Sequence, residues 1–526
     1  MLDLKITGGQ VLDGTGRPVF RADVGIEGPV VREVGDLSAA EAKTSVDAAG
    51  KYICPGFIDA HSHSDAYLLI EPSAPSKIFQ GVTTEVLGNC GASAAPRVGR
   101  YSMPSDWLDK KYPGPWTAVT EYLKLLEQVK PAVNVVLLIG HNAIRAGIMG
   151  YEGRPATDPE FKAMADLLAK SLDEGGAGLS TGLIYSPGMF ASPEEIIGLA
   201  KVVAQRGKIY TSHMRSEGSK LLEAIDETLN IGRRAGVRVQ ISHLKTSGGK
   251  NWHLIDAALE KIRKAKDDGV EVASDRYPYT ASCTDLDVIL PDWASEGGRE
   301  AVLKRLRNPQ TRKRIRDDLA ASRGGQYWES VTVSTTHHPD NRIFQGIPLL
   351  QVAKELSVEP VDAVLHLIDT DELHTGGFFF GMNEDNMWRI LREPYVMLGS
   401  DASVRAPTGL LSGDHPHPRA YGTFPRFLRA ALDGKTVQLP EAVRKMTSLP
   451  AGQFRLKDRG VLAVGKRADV VVFNPAEVRD MATYEKPHQF AKGIDFVVVN
   501  GVVTLQGGRL TGQRAGCFLD TAPSRG

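Results

Sequence analysis

The chain has 526 residues, and its 63 Lys plus Arg balance 63 Asp plus Glu to a formal net charge of zero. That length exceeds one ordinary compact domain and points to a large barrel with additions, or to several smaller domains. The even charge gives no electrostatic reason to bind nucleic acid or an acidic membrane.

From the N-terminus, Met1 to Gly9 shows no basic segment followed by an apolar one, so no signal peptide is expected. Leu2–Thr7 and Gln10–Leu12 flank Gly8-Gly9 and read as short strands, and Val19–Ile26 alternates in part. The far end is alike: Asp469–Phe473, Phe496–Asn500 and Val502–Leu505 are β-rich, with Asn500-Gly501 as a hairpin turn. The two ends, 1–54 and 455–526, are read as one small β-sandwich domain around a different middle, 55–454.

The middle alternates short apolar runs with helical patterns, as βαβ units do. Asp158-Pro159 opens a helix whose apolar face is Phe161, Met164, Ala165, Leu168 and Leu172, and Gly175-Gly176 closes it. Ala177–Leu183 then reads as a strand. Ser192-Pro193-Glu194-Glu195 caps the next helix. Strands Ile209–His213, Val237–His243 and Val270–Asp275 alternate with helices Lys220–Arg234 and Asn251–Asp268. Eight such strands end near His63, Cys90, His141, Leu183, His213, His243, Asp275 and Asp401, which fits an α/β fold of the (β/α)8 type. The link from the seventh to the eighth is too long for one βα unit. It holds a strand-like run, Ser330–Thr335, and a helix near Leu349–Leu356, and is read as an inserted subdomain at about 284–345. The longest apolar stretches, such as Val133–Ile139, are too short to span a bilayer. Cys54, Cys90, Cys283 and Cys517 are sparse and unpatterned, which fits a reduced, cytoplasmic protein.

Barrel enzymes build their sites at the C-terminal ends of the strands. His61 and His63, two apart, project to one side of a strand and are able to share a metal, although an exposed or core-satisfied pair reads as well. Cys90, between Gly88 and Gly91, reads either as an inert buried thiol or as a thiolate ligand, the glycines admitting close backbone approach. His213 and His243 end neighbouring strands, where two imidazoles can converge on one ion. Asp401 closes an apolar strand, either as a helix cap or as the general base for a metal-activated water. Together they supply one Cys/His/His site and a second His/His/Asp site.

These residues, set in Pro55-Gly56-Phe57-Ile58-Asp59-Ala60-His61-Ser62-His63 and followed near the end by Gly465-Lys466-Arg467-Ala468-Asp469, resemble the amidohydrolase superfamily. Gly88-Asn89-Cys90-Gly91, Ser180-Thr181-Gly182-Leu183-Ile184-Tyr185, Ser242-His243-Leu244-Lys245, Gly399-Ser400-Asp401 and His417-Pro418-Arg419 narrow the resemblance to the N-acyl-D-amino-acid deacylases. Ala177–Leu183 lacks the fourth-strand lysine of many amidohydrolases, and Cys90 takes its place. The resemblance implies a tight zinc on Cys90, His213 and His243, a weaker second position at His61 and His63, and Asp401 as catalytic base. It implies that Lys245, Tyr185 and a tyrosine such as Tyr277 hold a substrate carboxylate, and that the reaction yields a free D-amino acid and a carboxylate. Alternatives are a cyclic-amide hydrolase of the dihydroorotase or hydantoinase kind, a D-specific dipeptidase, and a non-catalytic scaffold. Arg276, Arg299 or Arg342 would suit an acidic substrate side chain, and Leu286, Ile289, Leu290 and Trp293 an apolar one, which is the preferred reading.

Overall fold

Leu2–Thr7 alternates buried and half-buried residues, as a strand with one covered face does. It pairs antiparallel with Asp23–Glu27 and parallel with Ala42–Asp47 in a four-stranded sheet. This computed structural model describes residues 1–108 and 110–521; the last five residues of the expected terminal domain lie outside the described residues. A seven-stranded sheet mixes both ends of the chain, because Tyr52–Pro55 lies between Gln10–Val11 and the C-terminal strand Val470–Phe473. Leu4, Ile6, Val24 and Ile26 pack with Val470, Val472, Phe496 and Val498 in one apolar cluster. Asn500-Gly501 makes the expected hairpin: Val499 pairs with Val502, and both turn residues have positive φ, 47° and 83°, as a type I′ turn requires.

The middle of the chain supplies parallel strands Phe57–Asp59, Val82–Leu87, Asn134–Leu137, Gly178–Gly182, Ile209–His213, Arg238–Ile241, Val272–Arg276 and Val396–Leu398. They form a three-stranded and a six-stranded sheet, because the third strand breaks at Leu138 and resumes as Ile139–Gly140 beside the fourth. Across that break, Leu138 N–H still donates to Leu87 O at 2.9 Å and Ala177 N–H to Leu137 O at 2.6 Å. At the opposite edges, Ala60 N–H donates to Leu398 O at 3.3 Å, Asp401 N–H to His61 O at 2.8 Å, and Ser62 bridges Ala402 in parallel. Helices follow most strands. Asp158–Asp173 is capped by Thr157 rather than Asp158: Glu160 accepts the Thr157 N–H at 2.8 Å, moving the cap one residue upstream. Ser192 caps Pro193–Ala204 by accepting the Glu195 N–H at 3.2 Å.

Between Arg276 and Val396 the chain leaves the parallel sheets. Ser282–Asp285 and Val331–Val333 both pair antiparallel with Gly376–Phe379. Leu303, Leu306, Ile315, Leu319, Val352, Val364 and Leu367 fill a separate core that reaches Leu373. This unit extends past residue 345 because its central strand comes last in the chain.

Below the upper rim, Lys77 is fully buried. Its Nζ lies 2.8 Å from Asp59 Oδ2 and 3.0 Å from Glu85 Oε1, and donates to Ser400 Oγ at 3.0 Å and Ala402 O at 2.9 Å. Ser400 N–H donates to Asp59 Oδ1 at 2.8 Å, so the first, second and last strands meet on one ammonium. Lys77→Met should destabilise the protein by about 3–5 kcal/mol, since two carboxylates stay buried without their cation. Thermal or urea unfolding measures this, and a loss below about 1 kcal/mol would show that the network relaxes without it.

Candidate metal centre

The ladders stop short of the expected ligands. The strands end at Asp59, Leu87, Ile241 and Leu398, and only His213 remains within one. His61, His63, Cys90, His243 and Asp401 sit in the turns just beyond. The turn conformation explains the difference: Cys90, His243 and Asp401 have φ of 52°, 35° and 52°, left-handed values that fold each side chain back over the strand ends. Each such non-glycine residue costs on the order of 1–3 kcal/mol, which surrounding structure must offset. Gly88 and Gly91 serve a purpose other than ligand approach. A Cβ at Gly88 would stand 2.0 Å from Leu138 O, and one at Gly91 2.6 Å from Gly182 N, so both let neighbouring strand ends close up. Ser180 completes that seam, with its hydroxyl on Gly88 O and accepting Gly91 N–H at 3.1 Å.

Four donors converge. Cys90 Sγ lies 3.3 Å from His61 Nε2 and 3.4 Å from His243 Nε2, and Asp401 Oδ1 lies 3.4 Å from His61 Nε2 and 3.0 Å from His63 Nε2. Among the described residues, His61, Cys90, His243 and Asp401 form one group of ligand atoms mutually within 4.8 Å, and His213, Glu217 and His243 form another. His213 is thus grouped with Glu217 and His243 rather than directly with Cys90. It is buried, and among the described residues neither ring nitrogen meets hydrogen-bond geometry with a partner. A buried polar group without a partner is costly, and a cation would supply the missing contact. Thiolate, imidazole and carboxylate together suit zinc.

The charges are mutually tuned. Burial raises the Cys90 thiol, but His61 and His243 overcome it and hold the group well below its usual value, in the thiolate form that binds metals. Burial likewise opposes the Asp401 carboxylate, but Arg419, His243 and His61 keep it well below the ordinary range. Burial depresses His63, while Asp401 and Cys90 lift it to about 9. Arg419 Nη1 reaches Asp401 Oδ2 at 2.7 Å, and Arg419 Nη2 donates to Cys283 O at 3.3 Å. Asp275 Oδ1 stands 3.1 Å from His61 Nδ1 and accepts His243 N–H at 2.9 Å.

A cavity of about 970 Å³ opens over these groups, lined by His63, Cys90, Tyr185, Lys245, Asp401 and Arg419 among others. Tyr185 takes the Thr284 hydroxyl at 3.2 Å. Lys245 Nζ stands 2.7 Å from His243 Nδ1 although the strand has ended before it. Tyr277 is fully buried, with Arg419 4.6 Å and Lys245 6.0 Å above its ring, and among the described residues its hydroxyl has no hydrogen-bond partner. Arg299 lines the cavity but pairs with Glu372 at 2.9 Å, and Arg276 is buried against Tyr277. Ile289 and Leu290 line the cavity, whereas Leu286 lies in the inserted core and Trp293 stacks on Arg314 at 4.0 Å.

Sequence reasoning missed Glu217, Asp275 and the Arg419–Asp401 pair. A signal existed for the first two: Glu217 follows His213 by four residues in a strand-end loop, and Asp275 lies near the end of a buried strand, where a bare carboxylate is expensive. Arg419 stands out in the His417-Pro418-Arg419 motif, but its pairing with Asp401 is not readable there, because it depends on how the chain returns after the last parallel strand.

The Amidohydrolase family matches residues 44–312 and 389–505. D-aminoacylase of Alcaligenes xylosoxydans xylosoxydans is 38% identical, covering 98% of this chain and 97% of that protein. N-acyl-D-glutamate deacylase of the same organism is also 38% identical, covering 95% and 93%. The crystal structure of N-acyl-D-glutamate deacylase from Bordetella bronchiseptica, complexed with zinc and a phosphonate inhibitor, superposes with a TM-score of 0.84 at 35% identity, covering 99% of each chain. No helix among the described residues is long and apolar enough to cross a membrane.

Zinc added to chelator-stripped protein should raise the melting temperature, as any ligand of the native state does. Cys90→Ala should remove most of that rise; an undiminished rise, followed by differential scanning calorimetry, would make Cys90 a packing residue only.

Proposed function

The chain belongs to the amidohydrolase family, and on that premise we propose that it hydrolyses N-acyl-D-amino acids to a free D-amino acid and a carboxylate. The observation that carries this reading is the convergence of His61, Cys90, His243 and Asp401 beneath a cavity whose wall presents Lys245, Tyr185 and Arg419. A linear amide beside a carboxylate needs both halves: ligands for an electrophile and cations for the carboxylate.

In this reading Cys90, His213 and His243 hold one zinc tightly, and His61 and His63 offer a second, weaker position. When bound, zinc polarises an amide carbonyl and brings the pKa of a water toward neutrality. Asp401 is anionic and within reach of that region, so it accepts the proton of the attacking water and returns it to the departing amine. Lys245 and Arg419 take the substrate carboxylate, with the Tyr185 hydroxyl beside them. Tyr277 acts from behind, its ring supporting both cations. Holding the carboxylate on this side fixes which face of the α-carbon meets the electrophile; the preference for D substrates rests on the relatives.

The fold reading that goes with it joins the two parallel sheets, through the Leu138 and Ala60–Leu398 contacts, into a (β/α)8 barrel over 55–454. In the same reading the strands of 1–54 join Val470–Phe473, Ile494–Val499 and Val502–Gln506 in the small β-sandwich, whereas Phe518 bridges Val135 of the parallel sheet, and the inserted subdomain begins near 284. The four cysteines are all free, in keeping with a cytoplasmic location.

Paired N-acetyl-D- and N-acetyl-L-amino acids, offered to zinc-loaded and chelated protein, test the activity. D-selective, chelator-sensitive release of amino acid is expected; turnover of cyclic amides alone would overturn the reading. Asp401→Asn should keep the fold and lower kcat by about a hundred- to ten-thousandfold, and a kcat near wild type would remove Asp401 from the proton path.

A further inference from the structure

Glu217 takes no part in the chemistry above, yet it stands where the metal centre meets the carboxylate clamp. Its Oε1 lies 2.8 Å from His243 Nδ1 and also pairs with Lys245 Nζ. Lys245 Nζ lies 2.7 Å from the same His243 Nδ1. Two groups of opposite character therefore compete for one ring nitrogen, since an ammonium only donates hydrogen bonds and a carboxylate only accepts them.

The outcome decides what the far side of the ring can do. If Nδ1 accepts from Lys245, the proton of the neutral ring sits on Nε2, the atom 3.4 Å from Cys90 Sγ, and Nε2 has no lone pair to give a cation. If Nδ1 carries the proton and donates to Glu217, Nε2 is free to bind metal. His61 faces a simpler choice, with the Asp275 carboxylate 3.1 Å from its Nδ1.

We infer that Glu217 is a positioning residue that selects the metal-binding tautomer of His243 while holding Lys245, so that metal binding and capture of the substrate carboxylate are linked through one side chain. The inference rests on the proposed role of His243 as a zinc ligand. It implies that an occupant drawing Lys245 away from His243 Nδ1 strengthens metal binding, and by linkage that metal strengthens binding of that occupant.

Zinc affinity, measured by competition with a chromophoric chelator, tests it on wild type, Glu217→Gln and Lys245→Met, with the melting temperature of each chelated protein as a folding control. A glutamine offers donor and acceptor alike, so Glu217→Gln should weaken zinc binding about ten- to hundredfold, the usual effect of removing such a partner. Lys245→Met removes the competing donor and should leave zinc affinity unchanged or higher. Wild-type affinity in a folded Glu217→Gln would overturn the inference. So would a tenfold or larger loss of zinc affinity in folded Lys245→Met, and this arm decides the matter if Glu217→Gln does not fold. Tight zinc in wild type with no change in Glu217→Gln would sink the role of Glu217 alone. A wild type that binds no zinc would remove the reading beneath it as well.

Discussion

The site depends on one contact between distant parts of the chain. Asp59 ends the first parallel strand and Ser400 follows the last; they share hydrogen bonds of 2.8 and 2.5 Å and the buried Lys77 ammonium. His61 and Asp401 lie two residues beyond Asp59 and one beyond Ser400, so this junction sets how far apart they stand. Glu85 brings in the second strand through Lys77 and through the Ser62 hydroxyl at 2.5 Å, and Cys90 follows five residues later. A fully buried cation between two carboxylates tolerates little displacement, because each group left without its partner would carry the desolvation cost alone. Three of the converging donors inherit their placement from that constraint.

Above this base the electrostatics balance in pairs. Cys90 and Asp401 are held as anions by His61, His243 and Arg419, and Glu217 by Lys245 and His243. Burial opposes every one of these charges, so each is sustained by its neighbours rather than by water. The arrangement gathers thiolate, imidazole and carboxylate donors around a point that a divalent cation suits, while the positive groups Lys245 and Arg419 face the cavity. The cluster of donors and the cationic wall of the cavity thus lie against each other, and their borders are single residues: Glu217 between His243 and Lys245, Asp401 between His63 and Arg419.

Much of this was legible in the sequence. The terminal strands, the Asn500-Gly501 hairpin, the helix start at Ser192 and the strand Ile209–His213 follow from local periodicity and capping, which need no knowledge of distant contacts, while the helix expected to open at Asp158 is capped one residue earlier. His61, His63, Cys90, His243 and Asp401 could be named because strand ends carry the chemistry in such folds, and the structure does bring them together. Their local geometry was not legible. The expected strands end early, since Cys90, His243 and Asp401 turn in left-handed conformations that only tertiary packing sustains. The inserted unit was cut short at 345 because its central strand, Gly376–Phe379, is recognised only by its partners.

The sequence by itself therefore determined which residue types stand at which strand ends, because periodicity and turn chemistry act over a few neighbouring residues. Only the tertiary structure decided the grouping of His213 with Glu217, the support of His61 by Asp275, the pairing of Arg419 with Asp401 and the burial of Lys77 beneath them. These are contacts between polar and charged groups on separate strands, helices and turns. Their energies depend on distance and burial, which a linear order of residues does not contain.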